Sequence, residues 1–246
     1  MKTQVSLNEM RGFTVNATDG QIGKVKDFYF DDRTWKIRYV VVAIGNAAPG
    51  RNVLILPQSL EKAGQWTNSL SLNITREQVE KSPDTDTDIP VSRQHEIAVR
   101  HHYGADVYFS WGEGLMGSHN IDLSEYAAPE ITRNKDGKEF DPHLNSFRGV
   151  TGFQVVAVDG RTGRVQDLIA DTGTWAVQYV VVEAGNIFGT KKVLVAPESV
   201  WEINVDETAF MLNVPKMRVH DSPRYDPVEL DRWSIGELDL SKGNRP

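Results

Sequence analysis

A chain of 246 residues with 39% hydrophobic and 25% charged side chains has a globular composition and room for one large domain or two small ones. The absence of cysteine excludes disulfides, thiol nucleophiles, zinc–thiolate sites and iron–sulfur clusters. The formal charge of −7 argues against unaided nucleic-acid binding and is unevenly placed: residues 84–146 hold 12 acidic and 5 basic side chains, while the rest balances at 22 and 22.

The N-terminal MKTQVSLNEMRGF lacks the apolar stretch of a signal peptide, and the longest apolar run, residues 39–44, falls far short of the ~20 residues that span a bilayer. A soluble cytoplasmic protein is the expectation. Phe13-Thr14-Val15-Asn16-Ala17 alternates apolar and polar, a half-buried strand, and Asp19-Gly20 then supplies a tight turn. Residues 23–30 read as a second strand, turned by Asp31-Asp32-Arg33-Thr34. The third strand, residues 35–45, begins with Trp35, Ile37 and Tyr39 on one face and Lys36 and Arg38 on the other, then becomes apolar on both faces through Val40-Val41-Val42-Ala43-Ile44. A fourth strand over 51–56 ends at Pro57, with Ser59 in the turn that follows. Further strands are expected at 64–68 and 69–74. Thr75-Arg76-Glu77-Gln78 has the form of a capping box opening a helical turn that stops at Ser82-Pro83.

Residues 84–145 form an acidic connector. Asp84, Asp86 and Asp88 are spaced like the first ligands of a calcium loop, but Ile89 stands where glycine is needed and His95 where glutamate is needed, so a solvated linker is the reading. A helix is expected over 92–103. His95-Glu96 opens like a zinc motif that Val99 breaks, and His102 lies two turns from His95, about 10 Å along the axis. Tyr103, Tyr108, Phe109 and Trp111 precede Gly112, Gly114 and Gly117. No strand precedes that glycine stretch and no Lys-Ser/Thr follows it, which leaves a phosphate loop unsupported. The aromatic residues are read as a plug, a subunit contact or a partner-binding patch.

From residue 152 the chain repeats itself. Residues 12–83 align with 152–223 at a constant offset of 140 without a gap, and 27 of 72 positions are identical, among them Asp19-Gly20/Asp159-Gly160, Gly23/Gly163, Trp35/Trp175 and Leu72-Asn73/Leu212-Asn213. A period this long indicates duplicated domains rather than a solenoid. Asp27 and Asp167, near the two Asp-Gly turns, are read as strand-edge charges, because no base or nucleophile recurs beside them in both copies. Val40, Val42 and Ile44, with Val180, Val182 and Ala184, are taken to continue the polar face of Lys36, Arg38 and Gln178. They are therefore expected to pack against the other copy or the connector.

The ordered motifs G-F-x-V, D-G-x-x-G-x-V-x-D, T-W-x-x-x-Y-V-V-V and V-L-x-x-P-x-S resemble the PRC-barrel family, known from the cytoplasmic domain of the photosynthetic reaction-centre H subunit and from a ribosome-maturation factor. The segment S-R-Q-H-E through Y-G-A-D-V-Y-F-S-W is similar to the tail of stand-alone bacterial members. The resemblance implies a six-stranded barrel acting as an assembly or adaptor module. This chain shows neither the transmembrane helix of the H subunit nor an N-terminal RNA-associated domain. The expectation is a mainly β protein of two small β-barrels in tandem, at 1–83 and 146–223, with short helices in the connector (84–145) and in the C-terminal tail (224–246, helix near 227–233). The expected function is a non-enzymatic adaptor or scaffold contacting another protein or itself, its copies paired about a pseudo-two-fold axis. No catalytic residue, cofactor or metal site is assigned. Two alternatives stay open: a small-molecule or metal-binding regulatory module using the histidine-bearing connector, and a ribosome- or RNA-associated factor.

Overall fold

The computed structural model describes residues 4–45, 51–61, 68–82, 102, 132–133, 139–186 and 189–227. The acidic run from Asp84, His95, the 92–103 helix apart from His102, the aromatic residues Tyr103, Tyr108, Phe109 and Trp111, the glycine stretch and nearly all of the 227–233 helix lie outside the described residues.

The protein is mainly β; among the described residues there are two large sheets, one two-stranded sheet and a few short helices. The first sheet is built from β2 (Thr14–Ala17), β3 (Gly20–Asp31), β4 (Lys36–Ile44), β5 (Arg51–Ile55) and β6 (Ser69–Ser71), in the order β5-β4-β3-β2-β6. β1 (Gln4–Ser6) and α1 (Leu7–Met10) precede it, and α2 (Arg76–Glu80) follows it. Two short strands, β7 (Thr132–Arg133) and β8 (Glu139–Phe140), pair with each other. Then come β9 (Leu144–Ser146) and α3 (Phe147–Val150). The second sheet holds β10 (Gln154–Ala157), β11 (Gly160–Asp171), β12 (Val177–Asn186), β13 (Gly189–Val195), β14 (Val200–Asn204) and β15 (Ala209–Leu212), in the order β13-β12-β11-β10-β15-β14. α4 (Lys216–His220) follows.

Local chemistry explains these elements. β2 and β3 form an antiparallel hairpin across Asp19-Gly20, and Gly20 adopts φ +139, a region closed to most side chains. Gly160 at φ +117 makes the same turn between β10 and β11. Pro57 opens a 3-10 turn through Ser59, and Thr75 caps α2 in a complete capping box with Gln78. The fifth strand of the second sheet, β14, begins at Val200. The offset of 140 maps that position to Leu60, four residues before the strand expected at 64–68. Leu60 is bridged to Leu72, and residues 62–67 lie outside the described set.

The face assignment of the third strand requires correction. Tyr29 pairs with Tyr39 but Phe30 pairs with Ile37, so Arg38 is an extra residue in a β-bulge. A bulge shifts the alternation by one, which sends Ile37 and Tyr39 to opposite faces. Ile37, Val40, Val42 and Ile44 therefore line the main core with Val15, Val25, Phe28 and Leu70, and Tyr39, Val41 and Leu54 form the outer face. Gln178 is the equivalent bulge of β12. The outer faces are still apolar and need cover. Leu144 packs over the first, and Tyr225 packs over the second.

The cover of the first face comes with an exchange of strands between the sheets. β1, at the start of the chain, pairs antiparallel with β11 of the second sheet, Val5 opposite Ala170. β9, which leads into the second copy, pairs antiparallel with β3 of the first sheet, Asn145 opposite Phe30. The boundary expected at 145/146 falls inside β9. The two sheets also touch where their tight turns meet. Ile37 N donates to Trp175 O (2.8 Å), Val177 N donates to Trp35 O (2.7 Å), and Lys36 bridges Ala176. Trp35 and Trp175 both hold φ +55, a left-handed conformation that is uncommon for a bulky residue. The Trp35 ring stacks on Phe30 at 5.7 Å and lies 6.4 Å from Phe210 of the other sheet.

Candidate functional site: polar seams and a cleft between the sheets

Each exchanged segment is anchored by a serine. Ser146 ends β9 and caps α3: its hydroxyl donates to Asp27 Oδ2 (2.6 Å) and accepts from Gly149 N (2.8 Å). Asp27 Oδ1 accepts from Arg148 N (2.9 Å) and Phe28 N (2.8 Å). The same constellation stands 140 residues away in both directions. Ser6 donates to Asp167 and accepts from Glu9 N (3.0 Å), while Asp167 accepts from Asn8 N (3.0 Å) and Leu168 N (2.8 Å). Asp27 and Asp167 are thus buried acceptors that hold the other copy's leading segment, and their reading as strand-edge charges is corrected. The loss of water around each carboxylate outweighs its donors. Burial raises Asp27 above the usual carboxylate range and pushes Asp167 up to about 6.

A second polar cluster lies on the first-sheet seam. The bulge residue Arg38 donates to Asp141 (2.6 Å) and reaches Asp31 (3.4 Å). His143 Nδ1 meets Asp32 Oδ1 at 2.8 Å, and Asn145 Nδ2 donates to Asp32 Oδ2 (2.9 Å). Burial raises Asp32, with the His143 contact pulling against it. At the offset of 140 the second copy has Thr172 for Asp32 and Gln178 for Arg38, so this charged clasp belongs to one seam alone. Removing one partner of a buried ion pair costs ~3–5 kcal/mol, which makes Asp141 a determinant of where residues 141–145 dock.

Beside this seam opens a cleft of about 760 Å³, lined by Tyr29, Leu144, Ser146, Arg148, Phe153 and residues 202–206 among others. That volume falls within the ~300–1,000 Å³ of small-ligand clefts. Trp201 and Val205, at the edge strand β14 and just beyond it, are exposed large hydrophobic side chains. Among the described residues no group of three or more His, Cys, Asp or Glu is placed to hold a metal ion. The ring of His102 bonds the Gln78 carbonyl in α2. Among the described residues no helix is long and apolar enough to cross a membrane.

Residues 2–60 match the family model of the PRC-barrel domain. The chain carries a PRC-barrel domain. The matched segment takes in β1 through β5 and the 3-10 turn, so the PRC-barrel domain as written in sequence includes a strand that pairs with the other sheet. The second copy reproduces the strand order and bulges of the PRC-barrel domain at the offset of 140. No curated protein matches the chain.

Sequence reasoning passed over Ser6 and Ser146. A signal was present: extending the alignment from residue 12 back to residue 4 adds Ser6/Ser146 as its only identity.

Proposed function

We propose that the protein is a non-enzymatic cytoplasmic adaptor whose two PRC-barrel units, related by a pseudo-two-fold axis through the Lys36–Ala176 contact, present a fixed surface to a partner protein. The observation that carries this reading is the reciprocal exchange of β1 and β9, which joins the two sheets into one body and spends the conspicuous buried carboxylates on structure. Asp27 and Asp167 each accept three hydrogen bonds, two of them from backbone amides, and this supports an anchoring role over acid–base work. The net charge of −7 weighs against an RNA partner.

The test is photo-cross-linking in the native cell with the full chain carrying a photoreactive side chain at Trp201 or Val205, both exposed. Discrete protein adducts, the same from cell to cell, are expected. Recovery of RNA in place of protein, or adducts abolished by a metabolite or metal that raises the melting temperature, would replace the adaptor reading with one of its alternatives.

A further inference from the structure

The four large hydrophobic side chains that stand exposed among the described residues, Val158, Trp201, Val205 and Met217, all belong to the second copy. At the offset of 140 the first copy has Thr18, Glu61, Gln65 and Glu77 in their places. Two copies of one scaffold thus differ in surface chemistry at matched positions, which is where a contact made by one copy alone is written.

Strand pairing sets four of the second copy's residues in a row across its sheet. Arg161 on β11 is opposite Val156 on β10, Val156 is opposite Met211 on β15, and Met211 is opposite Glu202 on β14. The adjacent row is Gly163, Val155, Phe210 and Ile203, and its Val155 and Phe210 are fully buried in the core. Alternation along β10 and β15 therefore turns Val156 and Met211 outward, where both are half-buried, while Arg161 and Glu202 are exposed. The row reads cation, apolar, apolar, anion over three strand spacings, about 14 Å. Val158, two residues beyond Val156, and Trp201, beside Glu202, add exposed apolar surface to it. In the first copy the matching residues Gln21, Asn16 and Ser71 pair in the same way and are polar and uncharged.

A row in that order is complementary to itself when turned through half a circle. We infer that this face is the interface of a two-fold homodimer, in which Arg161 meets Glu202 of the partner subunit and Val156 meets Met211 of the partner subunit. Each of these contacts occurs twice, once on either side of the axis. The charge order selects this occupant. An anionic bilayer, or a partner of a single charge, would match one end of the row and oppose the other. Because the first copy's row lacks both the charges and the apolar middle, only one face per chain takes part, and the pairing closes at two. The inference goes beyond the adaptor reading and stands without it.

Sedimentation velocity of the full chain from about 1 µM to about 1 mM should show a dimer, alone or in equilibrium with monomer, and no larger species. Arg161→Glu alone and Glu202→Arg alone each set like charges across the axis twice. Either should weaken the dimer at least about tenfold at unchanged melting temperature, since both side chains are exposed. Arg161→Glu combined with Glu202→Arg restores the match with the signs exchanged, and should bring the dissociation constant back to within about threefold of the original. Val156→Asn with Met211→Ser, which copies the first copy's row, should leave a folded monomer. A monomer throughout the range, assembly beyond the dimer, single reversals without effect, or a double reversal no tighter than the single ones would each overturn the inference. So would a monomeric chain that co-sediments with vesicles of phosphatidylserine and phosphatidylcholine, a result that gives the face to a lipid surface. None of these results touches the cross-linking to other proteins that tests the adaptor reading.

Discussion

The Ser146 hydroxyl lies 2.6 Å from the Asp27 carboxylate across a separation of 119 residues, and it is the point at which the second copy begins and the first is completed. The Ser146→Ala change removes a donor to a buried carboxylate and an N-cap together. A loss of about 1–2 kcal/mol in urea unfolding is expected, with a similar loss for Ser6→Ala. A double-mutant cycle with Asp27→Asn should show coupling of about 1 kcal/mol, and additive losses would mean that the contact carries no energy of its own.

Two glycines of the first hairpin differ in what they tolerate. Gly20→Ala should cost about 1 kcal/mol or slightly more, through its positive φ. Gly23→Ala places a methyl 2.0 Å from the Ala43 carbonyl oxygen, backbone that cannot swing aside, and should cost about 3 kcal/mol or more. Chemical denaturation of both variants ranks them, and the reverse order would contradict the close pairing of β3 with β4.

Stability should fall as pH rises toward neutrality. Asp167 titrates near 6 in the folded protein against about 3.9 when unfolded, so the folded state holds the proton more tightly. The stabilisation is complete below the unfolded value, is lost as pH rises through about 6, and amounts to at most about 3 kcal/mol. Asp27 and Asp32 are raised as well and act in the same direction. Melting temperatures from pH 4.5 to 7 should therefore decline, and Asp167→Asn should flatten that decline without abolishing it.

A fragment of residues 1–83 lacks β9, which completes the edge of β3, and β11, on which β1 lies. It should self-associate, either by exchanging β1 between two copies or by aggregation at the exposed edge. Sedimentation velocity distinguishes these outcomes from a stable monomer, and a monomer would show that the exchange is dispensable.

Local features were legible in the sequence because local chemistry writes them: the Asp19-Gly20 turn, the Thr75 capping box, the Pro57 turn and the apolar strands all declare themselves within a few residues. The bulge at Arg38 was not legible. An inserted residue leaves no compositional mark, and it reversed the face on which Val40, Val42 and Ile44 were placed. β1 and β9 are three residues each, too short for a periodic signal, and their partners lie far along the chain. The roles of Asp27 and Asp167 followed from those partners. Tyr225 gave no sign either, since its importance comes from a surface assembled by three strands of another segment.

The exchange also sets an order of events during synthesis. As the chain leaves the ribosome, β3 emerges with part of its edge unsatisfied and stays so until residues 144–146 arrive. β1, the first strand made, waits until residue 171 for its partner. Neither half can finish ahead of the other, so the last steps of folding are shared and must follow translation of the acidic connector.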